Sequence, residues 1–302
     1  MHVTRRHLQL GLAALWIVDG ALQCQRYMFT KSFGREVILG EAATGTPWWV
    51  AHPAHWAADI IITHPVLTNA GFAAFQLALG TALLWRRTVR VALLGSVAWG
   101  LLVWWLGEGI GGLTTGETLL SGAPGAALLY AVVAVTAWPD RTGASDVRPS
   151  LLALPAWCAL WVMGAGMQLA AGNNSGDALA AAFEDGGMEA MGWIRHLDNT
   201  LARHHISDLV VAAIIAVEVL IALWATIPGR ARIASAYTGI GVGVAAWVLV
   251  QGLGDLTTGQ STDPNTGPLI VLMAFAVLGL SDVSWNDNRR HASRSATRPR
   301  TA

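Results

Sequence analysis

Glu108-Gly109-Ile110-Gly111-Gly112-Leu113-Thr114-Thr115-Gly116 and Gln251-Gly252-Leu253-Gly254-Asp255-Leu256-Thr257-Thr258-Gly259 are two versions of one nine-residue segment, 143 positions apart. At the same offset Trp104 meets Trp247, and Ser96-x-x-x-Gly100 meets Gly239-x-x-x-Gly243. Near the start, Ala14-Leu15-Trp16 and Gln23 answer Ala159-Leu160-Trp161 and Gln168 at an offset of 145. Chance matching does not hold one offset over so many positions, so the chain reads as an internal duplication.

Outward from these segments the sequence is dominated by apolar runs. Of 302 residues 54% are hydrophobic and 13% charged, and the mean hydropathy is +0.47. Such a composition excludes disorder, collagen-like structure and most soluble enzymes. Eight runs approach the ~20 residues needed to cross a bilayer, roughly 8–28, 62–85, 90–107, 123–138, 151–172, 206–227, 232–252 and 267–281. The expected fold is therefore all-α, a polytopic transmembrane helical bundle with eight spans arranged as a tandem parallel repeat of four-helix units. Its expected divisions are 1–145, 146–284 and a basic, disordered tail over 285–302. Thr4-Arg5-Arg6 faintly resembles a twin-arginine leader, but no small-residue cleavage site follows, so the first helix is expected to be retained.

Nineteen Lys and Arg balance nineteen Asp and Glu. The zero sum provides no global basic field, so nucleic acid is not an expected partner. Sorted by predicted side, fourteen basic residues fall at the N-terminus, in loops near 86–90, 139–150 and 228–232, and in the tail. The positive-inside rule then predicts a multi-pass protein of the plasma (inner) membrane with both termini cytoplasmic and the lipid bilayer as its medium. Tryptophans such as Trp85, Trp138, Trp48, Trp56 and Trp193 fit an aromatic belt at the two interfaces. Cys24 and Cys158 form no CxxC pair, which argues against a disulfide or thiolate cluster.

Phe75-Gln76-Leu77-Ala78-Leu79-Gly80 and its counterpart Val217-Glu218-Val219-Leu220-Ile221-Ala222 place a polar residue before small and aliphatic ones in the second helix of each unit. With the four-span unit and its long first outer segment, this pattern resembles the DoxX/DoxD-like integral membrane proteins. The resemblance implies two fused four-helix units and a link to sulfur-compound oxidation and quinone reduction; it transfers no catalytic residue. The Leu-Thr-Thr-Gly segment lies outside that pattern.

Three sets of residues are candidates for chemistry. Ionisable groups within spans are costly and default to functional candidates, which selects Asp19 and Glu218, with Glu108 beside them as a third catalytic candidate. Their repeat partners differ: Asp19 faces Gly164, Glu218 faces Gln76, Glu108 faces Gln251 and Glu117 faces Gln260. The plain alternative is that the two carboxyls hydrogen-bond Gln23, Gln76 or Gln168 as packing glue. The second set is histidine: His52, His55 and His64 in the first outer segment, His196, His204 and His205 in the second. His55/Asp59 and His204/Asp208 are four apart, one face of a helix, and a carboxylate can orient an imidazole for zinc or copper(II). Met188 and Met191 would extend this to copper(I), whereas haem is disfavoured because no histidine lies deep in a span. The alternative is that these histidines are interfacial and mark helix starts.

The third set is the glycine-rich loops, Gly107–Gly125 and Gly252–Pro268, before two apolar runs of only ~23 Å of helix. Paired broken segments in two halves point to an embedded site, so the loops are expected to dip inward and offer Thr114, Thr115, Thr257 and Thr258 for binding, with Gln76. The alternative is a pair of tight hairpins. Three functions stay open: a redox component handling a quinone or small molecule, possible with copper or zinc and with other membrane or extracytoplasmic redox subunits as partners, hence an oxidoreductase if an enzyme; a small-solute or ion transporter; and an accessory subunit of a membrane complex.

Overall fold

The computed structural model describes residues 3–41, 46–170, 172–189, 192–204 and 206–281. Among them the secondary structure is all helical, with no strand. The helices are α1 (Arg5–Leu22), a single turn α2 (Leu39–Glu41), α3 (Trp48–Thr63), α4 (Pro65–Leu84), α5 (Val89–Leu106), α6 (Ala126–Thr136), α7 (Ala153–Leu169), α8 (Gly176–Glu189), α9 (Gly192–Arg203), α10 (Asp208–Thr226), α11 (Arg230–Leu249) and α12 (Thr266–Ser281). Each of the eight predicted apolar runs falls on one helix. Four further helices, α2, α3, α8 and α9, occupy the two long segments, between α1 and α4 and between α7 and α10, that the apolar pattern left unassigned. The tail 285–302 lies outside the described residues.

Among the described residues only α4, α5, α10 and α11 are both long and apolar enough to cross a membrane. The reason is visible in their packing. These four expose aliphatic side chains, among them Leu67, Val91, Leu94, Leu209 and Leu223, on the outside of the bundle. The shorter α6 and α12 run through its middle and are mostly covered by protein, whereas α1 and α7 bury one face there and expose the other, with Val18 and Val162 at the surface. Leu12 and Trp16 of α1, Tyr130 and Val133 of α6, Trp157 and Trp161 of α7, and Ile270 and Met273 of α12 form one continuous core. An 11-residue helix such as α6 spans only ~16 Å, a length a central helix can have because neighbouring protein covers its ends.

Helix pairs recur across the chain: α1 packs on α4 as α7 packs on α10, and α5 packs on α6 as α11 packs on α12. Small residues allow the close approaches. A Cβ on Gly100 would stand 2.6 Å from the Ala127 carbonyl oxygen, so α5 and α6 meet backbone to backbone there. Its counterpart Gly243 admits Ile270 of α12, and Gly239 admits the rings of Trp157 and Trp161. Trp16 donates its indole N–H to Ser96 Oγ at 2.9 Å, and Trp157 donates to Ser235 Oγ at the same distance.

The two glycine-rich loops share an unusual backbone. Gly109, Ile110, Gly111 and Gly112 have φ of +53°, +61°, +63° and +70°, and Gly252, Leu253, Gly254 and Asp255 have +52°, +61°, +67° and +53°. Four successive left-handed residues make a left-handed turn, which costs a non-glycine residue about 1–2 kcal/mol. That is why three of the four residues in the first copy and two of the four in the second are glycine. Each turn is then tied down alike: Trp104 Nε1 donates to the Pro124 carbonyl at 2.6 Å, and Trp247 Nε1 to the Pro264 carbonyl at 2.7 Å.

At the opposite end arginines satisfy the free carbonyls of helix C-termini. Arg6 donates to the Leu83 and Leu84 carbonyls at 2.9 and 2.5 Å, and Arg232 Nε to the Ala225 carbonyl at 2.9 Å. Positive charge is favoured at that pole of a helix. Arg5 joins the Arg148 and Trp138 carbonyls, linking the chain start to the 138–148 loop. Arg86 and Asp146 pair at 2.6 Å on the exposed surface, where water and salt screen the contact.

Candidate functional site

At the end of the bundle away from the arginines, a cavity of about 830 Å³ opens between α1, α4, α5, α6 and the two left-handed loops. Asp19 and Gln23 enter it from the last turns of α1, Gln76 from α4 and Trp99 from α5. The second loop folds over from the other half of the chain and contributes Asp255, Thr258 and Asp263. Six carboxyl groups line the space: Asp19, Glu36, Glu108, Glu117, Asp255 and Asp263. Seven aromatic rings join them, those of Trp16, Tyr27, Phe33, Trp56, Phe72, Trp99 and Tyr130. Among the described residues no lysine, arginine or histidine lines it.

The carboxyls are held by distinct means. Glu108 Oε1 accepts the backbone N–H of Ala127 at 2.9 Å, in the first turn of α6, where a negative group complements the helix dipole. Asp263 accepts the Asn265 N–H at 2.7 Å and the Thr262 hydroxyl at 2.9 Å, and burial pushes its carboxyl above the ordinary range. Asp19 is 1% exposed, and Oδ1 has no hydrogen-bond partner among the described residues. The Tyr130 hydroxyl is directed at this carboxyl without closing a short hydrogen bond, its ring stacked at 4.2 Å on Trp16. Asp19, Asp263 and Glu108 lie within electrostatic reach of one another. The carbonyl oxygens of the Gln23 and Gln76 side chains are also buried and unpartnered among the described residues. The surplus in this cavity is therefore of acceptors and negative charge.

The sequence candidates divide sharply. Asp19, Glu108 and Gln76 are brought together on the cavity wall, with Thr258 at its edge. Thr114, Thr115 and Thr257 are exposed and line neither this cavity nor the smaller one beside it. The threonine hydroxyls serve the loops themselves: Thr115 donates to the Gly112 carbonyl at 3.2 Å and Thr258 to the Asp255 carbonyl at 2.9 Å. Glu218 is buried but lies apart from both cavities, in the α7–α10 contact, where its Oε1 would stand 3.1 Å from a Cβ on Gly164. No hydrogen bond joins Asp19 or Glu218 to Gln23, Gln76 or Gln168 among the described residues, so the packing-glue alternative lacks its bonds.

Among the described residues no three His, Cys, Asp or Glu side chains gather as a metal ion would require. His52 and His55 are exposed on α3, His64 at the α3–α4 corner, and His196 and His204 on and beyond α9; His205 and Met191, and the side chain of Met188, lie outside the described residues. The His204/Asp208 spacing is not helical, because α9 ends at Arg203 and α10 begins at Asp208. Asp208 instead accepts the N–H of Gly176, capping α8 at 2.8 Å.

Sequence reading missed Asp263, Tyr130 and the ring of aromatics. Asp263 sits in the second loop, and only the crossing of that loop onto the first half places it beside Asp19. A separate omission is Asp198 on the amphipathic α9. Both of its oxygens are buried without a partner among the described residues, beside the fully buried Ile194 one turn away. Burial raises its carboxyl to about 6. Because the folded value exceeds the unfolded one near 4, the native state holds the proton more tightly, and stability falls as pH rises from about 4 to 6 and stays low above it. Thermal midpoints of the wild type and Asp198→Asn should converge at pH 4 and separate by pH 7, with Asn the more stable; parallel curves would refute this.

No family model, curated protein or solved structure matches this chain.

Proposed function

We propose that this protein is an integral plasma-membrane carrier or receptor for small organic cations, with eight spans arranged as two duplicated four-helix units. Support for the duplication comes from the paired left-handed loops and their paired tryptophan-to-proline hydrogen bonds. The arginine-rich end would face the cytoplasm with both termini, and the acidic cavity would open on the other side.

The observation that carries the reading is the cavity's composition, six carboxyls and seven aromatic rings with no basic residue among the described lining. Carboxylates attract an ammonium group, and aromatic faces stabilise it by about 0.5–2 kcal/mol each when water is excluded. An anion would be repelled. A quinone headgroup accepts hydrogen bonds, and the unpartnered donors available to it are Trp99 Nε1 and the Tyr130 hydroxyl. Those are two donors against six carboxyls, so a cation uses more of this lining than a quinone would.

Calorimetric titration of the purified full chain in nanodiscs tests this. Alkylammonium and tetraalkylammonium ions should bind, while neutral isosteres of the same shape and organic anions should bind at least tenfold more weakly. Equal affinity for cation and neutral isostere would overturn the proposal. Uptake of the binding cation into sealed vesicles then separates carrier from receptor.

A further inference from the structure

A second cavity, about 520 Å³, adjoins the first and shares Glu117, Ser121, Asp255 and Asn265 with it as a common wall. Two of its other lining residues are Gln168 and Gln251, 3% and 5% exposed. They are the repeat counterparts of Gln23 and Glu108, which line the first cavity. Each amide is anchored through its nitrogen. Gln168 Nε2 donates to the Asn173 carbonyl at 2.8 Å, and Gln251 Nε2 to the Leu120 carbonyl at 3.1 Å and Thr266 Oγ1 at 3.0 Å. With the nitrogens committed, the amides cannot turn over, and both Oε1 atoms remain buried acceptors with no donor among the described residues. Buried acceptors of this kind call for a ligand that donates.

Asp185 also lines this space, and among the described residues no lysine, arginine or histidine does. Unlike the first cavity, it has no aromatic ring in its lining. Its chemistry suits a bare ammonium group, which carries several N–H donors, better than a quaternary one. We infer that the second cavity is a second ammonium subsite, and that the ligand class of the joined pair is a linear dication, an α,ω-diamine or longer polyamine. One ammonium group would sit among the aromatics and carboxyls of the first cavity, the other at the anchored amides of the second, with the methylene chain passing the shared wall. This rests on the cation reading of the first cavity.

A tethered second group binds at the effective concentration set by its linker, so a diamine of matching length gains affinity over the corresponding monoamine. Calorimetry on the full chain in nanodiscs, with n-alkylamines and α,ω-diamines from three to ten carbons, reads this directly. One diamine length should bind at least tenfold tighter than the monoamine of equal carbon number. Asp185→Asn and Gln251→Leu should each erase most of that advantage and leave monoamine affinity unchanged; Asp185 is exposed, so its variant tests the idea even if the Gln251 variant fails to fold. Diamines no tighter than monoamines at any length, or an advantage that survives Asp185→Asn, would overturn the second subsite while leaving the first intact. If no amine of either kind binds, the cation reading of the first cavity fails as well.

Discussion

Asp19→Asn is expected to weaken binding of a small alkylammonium ion by ten- to a hundredfold, about 1.4–3 kcal/mol, with little change in the thermal midpoint. The expectation follows from where the residue stands. Its carboxyl is almost fully buried at the cavity wall, and Oδ1 has no partner among the described residues. An ion pair formed in such a place is weakly screened, so removing its negative partner is felt strongly. Asparagine has nearly the same shape and keeps an acceptor, so packing against Trp16 and Tyr130 survives. Titration calorimetry of the two proteins checks this. Unchanged affinity with an intact fold would remove Asp19 from the binding machinery; Glu218→Gln, which changes a buried carboxyl away from both cavities, is the control and should bind as the wild type does.

Gly111→Ala is expected to cost about 3 kcal/mol or more of stability and to fail to reach the native state in many conditions. Two independent costs add. Gly111 has φ of +63°, in the left-handed region that disfavours any Cβ. The added methyl would also overlap the Pro124 carbonyl, which is backbone and cannot swing aside. That carbonyl is the acceptor of Trp104, so relieving the clash would break the 2.6 Å bond that ties the loop down. Gly116→Ala pays only the conformational cost, since nothing lies within 4 Å of its Cβ position, and should lose about 1–2 kcal/mol. Urea or thermal unfolding in detergent measures both; equal midpoints for the two variants would show that the contact with Pro124 is immaterial.

How much of this was legible in the residues differs by level. Apolar runs separated by Gly, Pro and Arg located all eight principal helices, because burial and helix termination are local in sequence. Among the described residues four of these helices have the length and apolarity of a span, and α6, α7 and α12 are shorter, α6 and α12 being mostly buried among neighbours. Apolar content alone does not distinguish a lipid-facing helix from a central one. Helix α9 escaped notice for the opposite reason, since it has few apolar residues and is fixed by a few buried positions such as Ile194 and Asp198, whereas α3 is apolar but short and interrupted by Pro53.

The candidate site shows the same division. Asp19, Glu108 and Gln76 stood out as polar groups on or next to apolar runs, a signal contained in their own neighbourhoods. The histidines stood out by recurrence and spacing, yet spacing cannot show convergence, and the described ones lie exposed and apart. By itself the sequence determined the eight principal helices, the two matched glycine loops and the sorting of most arginines to one end, since each depends on residues near one another in the chain. Tertiary structure alone decided that the second loop folds onto the first half and sets Asp255 and Asp263 opposite Asp19, and that Glu218 is left outside. The physical reason is that a binding site is a meeting of side chains distant in sequence, and which ones meet is set by helix packing around the core of α1, α6, α7 and α12.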